Sequence, residues 1–591
     1  MNPDLQSTAL PADWHPNYDL RPVVTVPETA APAAGWDAVA DRLAATDGSL
    51  CVDCYDAVDA ARVAEELAGR LGVTTLVRTD TLLKSADELE AMLAPFLGGD
   101  DPIFGFLMPL PLARFFDAGR LAGARRRVDE ARASGSGRVL VVGVGAALLG
   151  GDTLVLADLP RWEIQQRQRA GTAGNLGAAN AGAPANLLYK RSFFVDWRSL
   201  DAHKRPLLGR ADFFLDTTGV GPKLAAGGDV RRGLAHATTR PLRVVPFFDP
   251  GPWGGQWMRR VCGLPDGPPN YAWCFDGVPE ENSLLLGLGG ETFELPSLDL
   301  IFEHPAAVLG DPVHARFGDE FPIRFDFLDT MGGGNLSFQV HPLTEYIQRH
   351  FGMHYTQDES YYLLDAAPAG TCYLGLKPGV DRGRFAAALR DAQAGGEPFD
   401  AEAFANVVPA RPHDHFLIPA GTVHCSGRNT MVLEVSATPY IFTFKLWDWG
   451  RLGLDGKPRP INIDRGLENV DFSRDSDFCD RELINVVEPI DEGDGWRQER
   501  TGLHRREFIE TRRHWFTKPV PHDTGGIARG GVNVLNLVQG RAVSVESPDG
   551  AFEPFEVHYA ETFIVPAAVG RYTVRPLGDG EHATLKAFVR T

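Results

Sequence analysis

An α/β domain built on a parallel sheet, followed by all-β domains interrupted once by helices, is the multidomain fold class this chain predicts. Three observations carry it. From Trp36 to about Thr239, short β runs alternate with helical ones, the pattern of parallel strands joined by helical crossovers. From about Arg240, long helical patterns give way to short strands punctuated by Gly and Pro, as in β-sandwiches and barrels. Finally, 591 residues exceed what one hydrophobic core supports and suggest about three or four domains.

The elements follow in order. Residues 1–35 are rich in Pro and Ala and predict an arm or linker. In the α/β domain, 36–239, strands are expected at 50–55, 74–78 and 138–144, with helices at 57–71 and 86–97. Cys51 and Cys54 fall on the first of these strands without a second CxxC pair, so they predict core packing rather than a zinc or redox motif. An all-β unit spans 240–483, with a helical insert near 380–408 that is expected to cover one mouth of a barrel. The remaining 484–591 hold short β segments of the same character.

Composition narrows the function classes. Hydrophobic residues at 44% and charged ones at 23% predict folded cores throughout. Against 58 basic side chains stand 78 acidic ones, a formal charge of −20, which argues against nucleic acid or an anionic membrane as a partner. An anionic substrate must then be held by a few local cations. Seven cysteines are an odd count in a long chain and form no disulfide framework, as expected of cytoplasmic thiols. No basic segment followed by an apolar run opens the sequence, and no apolar stretch of about 18 residues occurs, so neither secretion nor membrane insertion is expected.

The chemistry concentrates in three segments: LSFQVHP at 336–342, DESYY at 358–362 and IPAGTVH at 418–424. Alternate residues of a strand point to one face, so Gln339 and His341 aim into a common cavity. With Glu359 and His424 they compose the nitrogen and oxygen donor set that a divalent metal such as zinc accepts. A lone His or Glu in a barrel is more often structural, but a buried His, Glu and Gln together need partners to offset desolvation. His350, His354, His413 and His415 flank the same elements, and the last two are read as solvated loop residues.

These residues resemble, in order over about 241–591, the class I mannose-6-phosphate isomerase family of the cupin superfamily. FFDPGPWGG at 247–255, FPIRFDFLD at 321–329, GLKPGV at 375–380, LEV at 433–435 and KLWDWGR at 445–451 carry the resemblance alongside the three segments above. It implies double-stranded β-helix (jelly-roll) domains, one Zn2+ per chain on Gln339, His341, Glu359 and His424, and a small sugar phosphate as substrate. The segment 484–591 resembles the family's second cupin, with a Pro-Ala turn but no histidine after it, which implies a metal-free domain. There are two departures. Gln357 stands where the family has lysine two residues before the liganding glutamate, and Lys445 is the best match for a family arginine, a point charge in place of a two-pronged donor.

Aldose–ketose interconversion moves a proton between adjacent carbons through an enediolate, so a base is needed beside the metal. Glu434 is the first candidate; its alternative is a structural pairing with Lys445 or Arg451. Asp448, between Trp447 and Trp449, is either a second acid–base group or a buried hydrogen-bond acceptor. Lys445 and Arg451 are candidate phosphate holders, or else a solvated pair. Two rival functions remain: an isomerase for another aldose or sugar phosphate, and a metal-bearing, sugar-binding regulatory cupin without catalysis.

The α/β domain is faintly similar to nucleoside kinases through 158–167, 193–198 and 201–204. Its Asp, Arg and Trp residues form either an anion pocket or a salt-bridge network, and the helix near 158–167 is a candidate contact with the barrel. The glycine cluster after Val139 lacks the Gly-Lys-Ser/Thr ending that cradles phosphates and holds magnesium, so a degenerate domain without phosphotransfer is expected.

Overall fold

In the computed structural model, which describes residues 14–591 apart from 136, 438–439, 503–504 and 506, the aliphatic runs of the first domain become parallel strands. They are β1 (Leu50–Cys54), β2 (Val73–Arg78), β3 (Arg138–Gly143), β4 (Thr153–Asp158) and β5 (Phe213–Asp216). Their spatial order is β2-β3-β1-β4-β5, and Lys223–Ala226 and then Ala33–Ala34 extend the sheet beyond β5 through antiparallel pairings. Helix α1 (Ala60–Leu71) links β1 to β2 and buries Val63, Ala64 and Leu67. Asp59 caps its start by accepting from Arg62 N, and Gly72 ends it in the left-handed conformation. Cys51 and Cys54 are buried free thiols, as expected of core packing.

A cleft of about 840 Å³ opens at the carboxyl ends of these strands. The loop that enters α1 offers it Asp56 and Asp59 and no lysine. The glycine-rich run after β3 forms a tight turn, with Gly143 and Gly145 at positive φ and a short 3-10 helix at Ala146–Leu148.

Part of the predicted arm is structural. The β-branched segment Val23–Val26 pairs in parallel with Ser283–Leu288 of the later unit and buries Val24 and Val26. The arm expected over 1–35 thus contributes an edge strand, while residues 1–13 lie outside the described residues. Alternation in a four-residue run cannot announce a partner some 260 positions away.

The second unit opens with β6 (Phe247–Asp249), β7 (Trp273–Gly277), β8 (Arg324–Asp329) and β9 (Phe338–Val340). It continues with β10 (Glu359–Ala366), β11 (Thr371–Leu376), β12 (Ala405–Pro409) and β13 (His415–Ile418). The last strands are β14 (His424–Ser426), β15 (Thr430–Ser436) and β16 (Phe444–Trp447). One sheet runs β13-β10-β15-β8-β7-β6 and the other β12-β11-β14-β9-β16. The insert contains helix α2 (Arg382–Gln393), capped by Asp381, and the short α3 (Ala401–Phe404).

One expectation about the insert, its helical extent, is corrected. Its second helix stops at Phe404 because the β-branched Val407 and Val408 pair with Tyr373 and Cys372 of β11. Among the described residues, none lining the metal cavity comes from the insert; its Phe399 packs against Phe338 of β9 and Trp447 of β16, and Phe385 packs edge-on against Phe399, Phe404 and Phe472.

From Glu488 onward, six- and four-stranded antiparallel sheets enclose a core that includes Phe516, Leu535, Val543, Val557 and Phe563. The helix Arg161–Arg169 docks the first domain on the second. Trp162 stacks on Phe247 with ring centroids 3.8 Å apart, and Arg169 grips Asp249 through two 2.9 Å contacts. Behind it Arg161 pairs with Asp201 at 2.6 Å, and Lys204 bridges Asp158 at 2.7 Å and Asp299 at 2.9 Å. These groups form the salt-bridge network, not an open anion pocket. Removing one partner strands a buried charge, which costs about 3–5 kcal/mol.

Candidate metal and substrate site

The Gln-x-His spacing acts as the strand period predicts. Gln339 on β9 lies opposite His424 on β14, and His341 follows two residues later with its ring on the same side. Glu359 opens β10 between them, with Oε2 3.0 Å from His341 Nε2 and Oε1 2.9 Å from His424 Nε2. Both imidazoles and the carboxylate are at most 1% exposed, and their donor atoms all lie within 4.8 Å of one another.

The Nδ1 atoms are already engaged. His341 Nδ1 meets Phe442 O and His424 Nδ1 meets Thr422 O, each at 2.9 Å, which directs both Nε2 atoms toward Glu359. His341 Nε2 and Glu359 Oε1 make no hydrogen bond of normal geometry despite complete burial. Two orphaned polar atoms in a set of two imidazoles and one carboxylate fit a divalent cation. Gln339 sits beside them, its amide 3.2 Å from His424 Nε2, and its Oε1 accepts from Ser337 Oγ. Turning that amide over would present oxygen to the same centre.

Gln357 explains one of the departures in the sequence. Its Nε2 donates to Glu359 Oε2 at 3.0 Å, and its Oε1 accepts from Phe442 N at 2.9 Å. It therefore ties the carboxylate donor to Phe442, the residue whose carbonyl orients His341. Gln357→Leu is expected to weaken metal binding about 10- to 100-fold, the usual cost of losing such an outer contact, measured by competition with a chromogenic chelator. Unchanged affinity would reduce Gln357 to a space filler.

Gln339 and Glu359 reach a cavity of about 230 Å³, with His341 and His424 set behind them. Glu434 on β15 enters it, registered opposite Asp326 on β8 and Tyr361 on β10. Burial, reinforced by Glu359 and Asp326, pushes the Glu434 carboxyl well above the usual range. Burial also lifts Asp326 to about 6, against the pull of Arg324 at 3.2 Å. Lys445, opposite Gln339 in the ladder, is brought down to about 7 by burial and then by the nearby Arg459.

Asp448 takes the second of the two roles left open for it, a buried acceptor. It receives Arg451 at 3.0 and 2.7 Å and Arg459 at 2.6 Å. Arg324 and Arg459 line the cavity with Lys445, and Arg451 does not. Arg451 follows Asp448 in sequence by three residues and Arg459 by eleven. Arg459 sits in a Lys-Pro-Arg-Pro coil without periodicity, which left no signal to find it.

The reading of His415 as a solvated loop residue is overturned. It is 1% exposed on β13, between Thr501 Oγ1 at 3.0 Å and Ser360 Oγ at 2.9 Å, and burial pushes its pKa down to about 3. His413 is half-buried against Tyr362 Oη at 2.8 Å. The C-terminal sheets cover this face, which the β13 sequence alone does not reveal.

Comparisons with known proteins divide the chain along the same line. A family model described as "Domain of unknown function (DUF8485)" matches residues 35–239. Mannose-6-phosphate isomerase ManA of Bacillus subtilis (strain 168) is 26% identical over 243 residues, covering 40% of this chain and 69% of the relative. Mannose-6-phosphate isomerase of Streptococcus mutans serotype c is 25% identical over 222 residues, covering 36% of this chain and 63% of the relative. Among solved structures, the mannose 6-phosphate isomerase from Bacillus subtilis aligns with a TM-score of 0.47 at 16% identity, covering 59% of this chain and 99% of that one. No described helix is long and apolar enough to cross a membrane. The chain is thus similar over part of its length to mannose-6-phosphate isomerases, and over residues 35–239 to a domain without a described function.

Proposed function

We propose that the protein is a cytoplasmic, zinc-dependent aldose–ketose isomerase that interconverts mannose 6-phosphate and fructose 6-phosphate, with one Zn2+ per chain. The observation behind it is a second buried carboxylate, Glu434, beside the carboxylate donor Glu359 at the wall of a sugar-sized cavity. Gln339, His341, Glu359 and His424 would hold the metal, which supplies a Lewis acid for the substrate carbonyl oxygen. Glu434 then takes the proton from the carbon next to the carbonyl and returns it to the neighbouring carbon. Burial favours its protonated form, with Glu359 and Asp326 adding to it, and a divalent cation held by Glu359 would offset the contribution of that carboxylate. Lys445 and Arg459 hold the phosphate, and Asp448 fixes Arg459 from behind. Neither nucleic acid nor membrane is a partner in this scheme, and the first domain performs no phosphotransfer.

Zinc-loaded protein should isomerise mannose 6-phosphate in a coupled assay and prefer it to mannose. Replacing both cations, Lys445→Met with Arg459→Met, should remove about 10- to 100-fold of that preference, the scale of charge-assisted hydrogen bonds. Thermal stabilisation by sugars without turnover would favour the regulatory cupin instead. A second reading, an isomerase for another aldose, is favoured by one observation: Arg324 and Arg459 are already matched by Asp326 and Asp448. Preference for an unphosphorylated aldose would establish it.

A further inference from the structure

The metal cavity is not enclosed by the β-rich unit alone. Ile103, Asn186 and Tyr189, all from the first domain, line it together with Tyr440 and Ile441 of the segment between β15 and β16. Their placement is held from both sides. Tyr440 Oη donates to Ile103 O at 2.8 Å, and its ring stacks on Phe193 at 4.2 Å and lies 5.3 Å from Tyr189. Tyr189 Oη donates to Glu281 Oε1 at 2.7 Å. Around this seam Leu107 N donates to Phe351 O at 2.9 Å, Arg465 pairs with Asp101 at 2.9 Å, and Phe104 stacks on Phe351 at 5.0 Å.

We infer that the first domain is the outer wall of the substrate cavity and selects a single monosaccharide unit by contacting a sugar hydroxyl at the mouth. This rests on the isomerase reading for the identity of the substrate, but not for the existence of the wall. A cavity of about 230 Å³ falls below the ~300–1,000 Å³ of drug-sized pockets, the scale of a single sugar unit. Asn186 supplies the selective contact. Its Nδ2 donates to Pro102 O at 3.0 Å, which orients the amide and leaves Oδ1 to accept from a sugar hydroxyl. Tyr189 is a positioning residue. Glu281, which it holds, also lies close enough to favour the charged form of Arg324, the partner of Asp326. Residues 35–239 thereby gain a role in recognition that needs no chemistry of their own.

The test uses the full-length zinc protein and two readouts. Asn186 is exposed at the mouth, so Asn186→Trp narrows it without disturbing the core. Its KM for mannose 6-phosphate should rise at least ~10-fold with kcat within about threefold, the pattern of lost binding rather than lost chemistry. Independently of turnover, removal of zinc by dipicolinate should slow several-fold. Leu187→Trp, one residue along and outside the cavity, should move neither. Tyr189→Phe should lower the preference for mannose 6-phosphate over mannose while leaving zinc content intact. If wild type turns over and Asn186→Trp shifts neither KM nor zinc release, the wall is overturned and the isomerase stands. If no sugar is turned over but Asn186→Trp still slows zinc release, the wall stands and the isomerase reading falls.

Discussion

Glu434→Gln is expected to keep its full complement of metal and lose at least ~100-fold in turnover, the usual scale of a missing general base. The substitution preserves size and hydrogen bonding while removing the group that accepts the proton. It also removes one of three carboxylates crowded at the cavity, Asp326, Glu359 and Glu434, so the fold should tolerate it well. Metal analysis beside the coupled assay separates a chemical defect from a binding one. Near-normal rates would transfer the role to Asp326, the other cavity carboxylate with an upward-shifted pKa. Asp448 is no longer the alternative, since two arginines occupy its oxygens.

Combining His341→Ala with His424→Ala should abolish stoichiometric zinc. Two of the three clustered donors disappear, and Glu359 is left buried without the imidazoles that hold its carboxylate well below the usual range against burial. An uncompensated buried charge costs about 3–5 kcal/mol, so the thermal midpoint should fall as well. Elemental analysis decides the first expectation and calorimetry the second, with circular dichroism confirming that the variant is folded. Full metal content in the double variant would place the site elsewhere.

What the sequence determined by itself was local. The two-residue period put Gln339 and His341 on one side of a strand, the Pro-Ala-Gly turn preceded His424, and alternating β and helical runs announced the parallel sheet of the first domain. The capped helix α1 was legible for the same reason, because helix limits depend on residues three or four apart. Tertiary structure decided everything that depends on distant neighbours. His415 became buried because residues near Thr501 cover it, and Val407 and Val408 became strand because β11 offered an edge. Arg459, not Arg451, lines the cavity, although Asp448 accepts from both through its two oxygens. Tyr440 meets the carbonyl of Ile103 across 337 positions of sequence, and through that contact the first domain joins the metal cavity. Period and capping report only a few residues of context, whereas a cavity wall is set by which surfaces the whole chain buries against each other.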